Sequence, residues 1–332
     1  MLLTLPWLSL ALPDLTSAIE EQMRRAAAKF AAGESRTAVH LGGELACDDR
    51  GAPDAAEDVM RHANVSFQFV SGIETVDEAR YATRDGSVVC VDHAARHVSF
   101  RLNRAVFDAP YSTWTDLFAA PLAATWRHHG CFPLHAAAVA FDDGTSVMVV
   151  GASGSGKTTT ALALVTAGAT WRADDKVLLH HAGAGLLATS LYANTNLAPQ
   201  TIAAHPHLGF ALARPPLNET NEKRACLLRE LGQRVDLSPF APSALLFPIR
   251  VTRHTSSFRP ISTIDALLRL AEQSPTSGDR TVMRRQHELL VTLARRAPAW
   301  EIEAGSDVLI APGSFARALR DAVSHHAVSA SA

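Results

Sequence analysis

"SVMVVGASGSGKTTTALALVTAGA", residues 146–169, is the stretch whose reading decides the fold. Its centre satisfies G-x-x-x-x-G-K-[ST] in full, with Gly151, Gly156, Lys157 and Thr158 at the fixed positions. The apolar run before it predicts a buried strand over 146–150, and the run after it predicts a helix over about 157–167 that ends near Gly168. Strand, glycine-rich loop and helix in that order suit a loop that cradles phosphates. Glycines let backbone N–H groups turn inward, and the helix N-terminus adds partial positive charge. Lys157 can reach the outer phosphates and the Thr158 hydroxyl can ligate Mg²⁺. Gly151, Ala152, Ser153, Gly154, Ser155, Gly156, Lys157, Thr158 and Thr159 are therefore the candidate nucleotide-binding residues.

Both flanks of this stretch carry further chemistry. Upstream, "HAAAVAFDDG" (135–144) ends in Asp143-Gly144, a strong signal for a two-residue hairpin turn. With that turn at the centre, paired positions sum to 287, and His135 faces residue 287 − 135 = 152, which is Ala152 in the loop. The hairpin would then bring an imidazole to the mouth of the phosphate site. Downstream, "ATWRADDKVLL" (169–179) predicts a strand near 170–173 ending at Asp174 and Asp175. That is the carboxyl edge, where α/β sheets bind ligands. One carboxylate can complete a Mg²⁺ shell, and the other can take a proton from an attacking hydroxyl. Adjacent residues of an extended segment point to opposite sides, so the two should do different work.

The remaining sequence bounds the protein class. The chain has 332 residues, 47% of them hydrophobic and 19% charged, with a formal net charge of −2. A globular core is expected, and no basic block points to nucleic acid. Cys47, Cys90, Cys131 and Cys226 are scattered and suggest neither a zinc site nor a disulfide framework. The apolar N-terminus lacks a basic leader, is interrupted by Pro6 and soon reaches Asp14, so it reads as a strand or docking segment. No apolar run is long enough to cross a bilayer, and a cytoplasmic location is expected. Residues 15–32 have helical spacing, with Ile19, Met23, Ala27 and Phe30 on one face. Short strands follow, with a hairpin turn at "RDGS" (84–87). A helix over 112–129, a strand over 243–251, helices over 262–273 and 284–297, and a strand at "AWEIEA" (299–304) complete the reading. The expected organisation is an α/β chain: a small β-rich α+β region over 1–111, a loop-bearing core over 112–323 and a disordered tail over 324–332.

A histidine before the loop strand, the full loop motif, and Ala-Asp-Asp at this spacing resemble the HPr kinase/phosphorylase superfamily. The resemblance rests on "LHAAAVAF…GASGSGKTTTALALVTAGATWRADDKVLL" (134–179). It implies a P-loop core of the HPr kinase and phosphoenolpyruvate carboxykinase type, with ATP and Mg²⁺ as cofactors. The segment looks most like HPr-kinase-related kinases of bacterial biosynthetic clusters, some of which phosphorylate a serine of a ribosomally made precursor such as a lasso peptide precursor. The resemblance implies Asp174 as the base, His135 and Lys157 as its catalytic companions, and Thr158 and Asp175 as metal ligands. The implied partner is a serine-bearing peptide or protein, with no nucleic acid and no membrane; a homo-oligomer is compatible with it. A small-molecule hydroxyl acceptor and a non-catalytic nucleotide sensor are the alternatives. "YANTNLAPQTIAAHPHLGF" (192–210) stands where the bifunctional enzymes carry a second signature with an arginine linked to dephosphorylation, and it has no arginine. One-way transfer is therefore expected. Arg250 and Arg253 are candidates for an additional cation.

Overall fold

The computed structural model describes residues 1–329 apart from 14, 32–38, 67–68, 109–110, 184 and 218–220. Of the expected short strands "TAVHLGG" (37–43) and "VSFQFVS" (65–71), residues 37–38 and 67–68 lie outside the described residues, as do 330–332 of the expected tail. The chain is mixed α/β and divides into two compact units, Met1–Pro133 with Pro275–His287, and Leu134–Ser274 with Glu288–Ala332. Among the described residues, no helix is long and apolar enough to cross a membrane.

The first unit is larger than the expected 1–111. It is built on an eight-stranded sheet in the order Leu2–Leu5, Leu8–Ala11, Val39–Asp48, His97–Asn103, Val88–Asp92, Glu78–Ala82, Ser71–Glu74, Val65–Ser66. Strict alternation explains its buried face: in His97–Asn103 the side chains of Val98, Phe100 and Leu102 are buried. The hairpin at 84–87 forms as expected, with Gly86 at φ 90°. Thr16 caps the helix Ser17–Ala27, whose Met23 and Ala26 are buried, and Phe30 is buried just beyond its end.

The helix Tyr111–His128 belongs to this unit, so the expected boundary at 111/112 is displaced to Pro133. The reason is packing. Trp126 donates its indole N–H to the Pro6 carbonyl at 2.7 Å, and Trp114 and Phe118 are buried. Arg127, with no exposed surface, is paired with buried Glu74. Glu74 also accepts from the Tyr81 hydroxyl at 2.5 Å and the Ser277 hydroxyl at 2.6 Å. A carboxylate that holds three partners also joins the 275–287 segment to the unit, a long-range contact invisible to local pattern.

The second unit contains a six-stranded sheet in the order Thr170–Ala173, Ala136–Ala140, Ser146–Val150, Ala244–Arg250, Ala299–Ala304, Ser257–Ile261. Ser146–Val150 pairs in parallel with Ala244–Arg250, and Ala244–Arg250 with Ala299–Ala304. The helix Lys157–Thr166 covers this sheet; its Ala161, Leu162, Leu164 and Val165 share a core with Val147, Val149, Leu246, Trp300 and Phe315. Two further pairs, Val177–Ala182 with Gly185–Ser190 and Asn194–Leu197 with Arg224–Leu227, were not legible beforehand. The last helix, Pro312–Ser329, continues through 324–329, where a disordered tail was expected; Ala, Val and His there do not break the preceding helical pattern.

The hairpin register differs by one from the expected one. Ala136 faces Val150 and Ala140 faces Ser146, so paired positions sum to 286 and not 287. The turn takes three residues: the Phe141 N–H bonds the Thr145 carbonyl at 2.9 Å, with Gly144 left-handed at φ 84°. Asp143 is spent on the backbone N–H of Thr145 at 2.9 Å, the Asx geometry that favours the longer turn. His135 therefore falls outside the ladder, and its backbone N–H bonds the Gln273 carbonyl at 3.0 Å.

Removing one partner of the buried Arg127–Glu74 pair should leave an uncompensated charge, at a cost of about 3–5 kcal/mol. Arg127→Leu should lower the urea midpoint of the full chain accordingly. The double variant Arg127→Leu/Glu74→Gln should recover part of the loss.

Candidate active site

The loop Gly151–Gly156 leaves the strand Ser146–Val150 and enters the helix Lys157–Thr166 without a side-chain cap. Its glycines are required by shape. Gly154 (φ 83°) and Gly156 (φ 105°) hold left-handed conformations, and a Cβ on Gly151 would stand 2.7 Å from the Ser155 hydroxyl. The first backbone N–H groups of the helix have no intrahelical acceptor. The Ser155 hydroxyl oxygen is buried with no protein partner. Lys157, only 6% exposed, turns its ammonium onto the loop's own carbonyls, Gly151 at 2.7 Å and Ala152 at 3.0 Å. Burial, helped by the like charge of Lys223, lowers Lys157 to about 8 against the opposing pull of Asp175 and Asp174.

The strand Thr170–Ala173 delivers the two aspartates to different partners. Asp174 is 1% exposed and accepts from the Thr158 hydroxyl at 3.1 and 3.2 Å and from the Thr195 hydroxyl at 2.5 Å. Burial, with the charge of Asp175 adding to it, raises Asp174 to about 6, although both hydroxyl bonds favour the ionised form. Extension stops after Asp174. Asp175 takes the left-handed region at φ 65°, which a non-glycine residue seldom occupies without a local reason. That kink brings its carboxylate to the imidazole Nε2 of His135 at 3.4 Å. Burial pushes Asp175 up, but the His135 bond and the charges of Lys176, His135 and Lys157 outweigh it and hold the carboxyl at about 2. Both members of this pair are partly open, with Asp175 34% and His135 27% exposed.

All the sequence-derived site residues therefore converge on one region of the second unit. Two cavities flank the loop. One, of ≈ 340 Å³, is lined by Gly154, Gly156, Lys157, Thr158, Thr159, Asn196, Lys223 and Arg250 among others. The other, of ≈ 330 Å³, is lined by Gly151, Ala152, Ser155, Phe247, Arg269 and Gln273 among others, and Arg250 borders both. Arg253 is committed to Glu303 at 2.8 Å, whereas Arg250 has no ion pair among the described residues. Sequence reading passed over Thr195, Asn196 and Lys223, which sit on or beside the Asn194–Leu197 and Arg224–Leu227 strands. Their only local signal is the weak alternation in "NTNL", where Thr195 and Leu197 are buried.

The donor set fits a nucleotide with Mg²⁺. Hard oxygen ligands, a buried unpartnered loop hydroxyl and a buried lysine meet at one loop. Among the described residues, no group of three His, Cys, Asp or Glu side chains could hold a metal by itself.

No family model matches the chain, and no curated protein matches it. Among solved structures, the HPr(Ser) kinase/phosphatase from Coxiella burnetii aligns over 59% of this chain and 95% of that one, with 12% identity and a TM-score of 0.33. A superposition of that quality leaves the functional reading to the residues of the site themselves.

The Asp174 environment has a stability signature. Its folded value of about 6 lies above the ordinary 3.8, so the folded state holds the proton more tightly. Its favourable contribution is complete below about pH 4 and is lost as pH rises through about 6, by about 3 kcal/mol. Asp174→Asn should therefore unfold at a higher temperature than wild type at about pH 7.5. That advantage should vanish below about pH 4 in a thermal scan.

Proposed function

We propose that the chain is a phosphotransferase that uses ATP and Mg²⁺ and moves the γ-phosphoryl group to a hydroxyl. The observation that carries this reading is the pairing of Thr158 with Asp174 beside the pairing of His135 with Asp175, both next to the glycine-rich loop. A sensor that only binds nucleotide has no need of the second pair. The acceptor class, a serine of a peptide or protein such as a lasso peptide precursor, comes from the motif resemblance of residues 134–179. A small-molecule hydroxyl is the second reading. It is favoured by the ≈ 330 Å³ cavity against Gly151, Ala152 and Gln273, a size that suits a small ligand.

Phosphoryl transfer asks the protein chiefly for positioning and charge neutralisation. Lys157 exchanges its two loop carbonyls for phosphate oxygens, and the helix N-terminus and the Ser155 hydroxyl add donors. Mg²⁺, when bound, neutralises the phosphate charge. Thr158 and Asp174 are the protein oxygens at hand for it.

This assigns the aspartates in the reverse of the order implied by resemblance. The contacts favour Asp174 on the metal side, because it is enclosed and already bonded to Thr158. They favour Asp175 as the residue that orients His135, whose imidazole takes the acceptor proton. A carboxylate held at about 2 is a weak base by itself but a strong orienter of a neighbouring imidazole.

The two pairs should fail differently. Asp175→Asn and His135→Gln should lower kcat by about 10²–10⁴-fold, roughly 2.7–5.5 kcal/mol of barrier, with ATP affinity close to wild type. Asp174→Asn should raise the Mg²⁺ concentration needed for half-maximal phosphorylation. A Mg²⁺ titration of acceptor phosphorylation in the three variants checks this. The opposite pattern would return the base role to Asp174.

A further inference from the structure

The short ribbon of Asn194–Leu197 and Arg224–Leu227 carries a charge that the reading above leaves unused. Its register pairs Leu197 with Arg224 and Asn194 with Leu227, which sets Lys223 immediately outside the ladder beside Ala198. Thr195, fully buried on this ribbon, donates to Asp174. The ribbon is therefore anchored to the aspartate that also holds Thr158. Lys223 lines the ≈ 340 Å³ cavity together with Lys157, Thr158 and Asn196. Its ammonium has no hydrogen bond or ion pair among the described residues. Arg250, which lines the same cavity, is equally uncommitted, and a Cβ on Gly156 would lie 3.7 Å from its Cγ. Three cations that line one cavity repel one another. The nearby carboxylates are already engaged, Asp174 with Thr158 and Thr195 and Asp175 with His135. An extended polyanion would offset this charge.

We propose that Lys223 is a second phosphate-chain cation, which grips the polyphosphate of the nucleotide from the short ribbon, in the cavity that the glycine-rich loop also lines. This rests on the nucleotide reading above. A flexible ammonium on a short ribbon can follow the chain as a point charge, where the loop supplies fixed donors. Ionic hydrogen bonds of this kind are each worth enough to change affinity roughly 10–100-fold.

The experiment is an equilibrium titration of the full chain with Mg·ATP, Mg·ADP and AMP. It compares wild type, Lys223→Met, Lys223→Arg and Lys157→Ala, with circular dichroism on each. Lys223→Met should weaken ATP and ADP binding roughly 10–100-fold and leave AMP nearly unchanged. Lys223→Arg should restore most of the loss, because it keeps the charge. If wild type binds no ATP, the nucleotide reading itself fails. If wild type binds ATP, Lys157→Ala does not, and Lys223→Met binds like wild type, this inference alone is overturned. Equal losses for ATP, ADP and AMP, or no rescue by arginine, would also overturn it, since Lys223 would then act through the fold.

Discussion

A buried carboxylate with two hydroxyl donors is the constraint around which the site is arranged. Asp174 has lost its water, and Thr158 and Thr195 supply its hydrogen bonds. Thr158 is on the first turn of the helix after the loop, and Thr195 is on the ribbon that leads to Lys223. One side chain thus fixes three elements: the end of the Thr170–Ala173 strand, the start of the loop helix and the ribbon. An aspartate at this depth, raised to about 6, is costly in a protein that needs only to fold. Strained or desolvated groups persist where surrounding structure over-determines them, and such places tend to be functional.

The next residue makes the contrast. Asp175 is left-handed, partly open and held near 2 by its imidazole neighbour. Two identical side chains, adjacent in sequence, are driven to opposite ends of the carboxylate range by what they touch. Environments that push paired titratable groups apart are the usual way that one site assigns separate chemical roles. The three-residue turn at Asp142–Gly144 contributes to this outcome. It sets the register that puts His135 opposite Gly151, where the strand has given way to the loop, and the His135 backbone N–H bonds the Gln273 carbonyl.

Much of the second unit was legible because its signals are local. The strand at 146–150, the loop and the helix from Lys157 follow from short-range pattern and glycine chemistry. The hairpin does carry His135 to Asp175, although its register differs by one residue from the expected one; Asp143-Gly144 signals a turn without fixing its length. What escaped was non-local. Arg127 and Glu74 are 53 residues apart, and their burial together, with the Trp126 bond to Pro6, holds the 111–128 helix in the first unit. Thr195 lies 21 residues beyond Asp174 in a polar stretch that reads as a loop. The partners of the aspartates depend on a left-handed kink that no residue type at 175 announces, since glycine and not aspartate is its usual occupant. Resemblance singles out the pair, whereas the different partners of its two members follow only from that kink.

Calorimetric titration of Mg·ATP into wild type and Lys157→Ala tests whether the Gly151–Thr158 loop, with Lys157 as its cation, holds the phosphates of a nucleotide, and circular dichroism verifies that both proteins are folded. Wild type should bind saturably, and Lys157→Ala should lose most of the affinity. Equal affinities in two equally folded proteins would show that the loop does not do so.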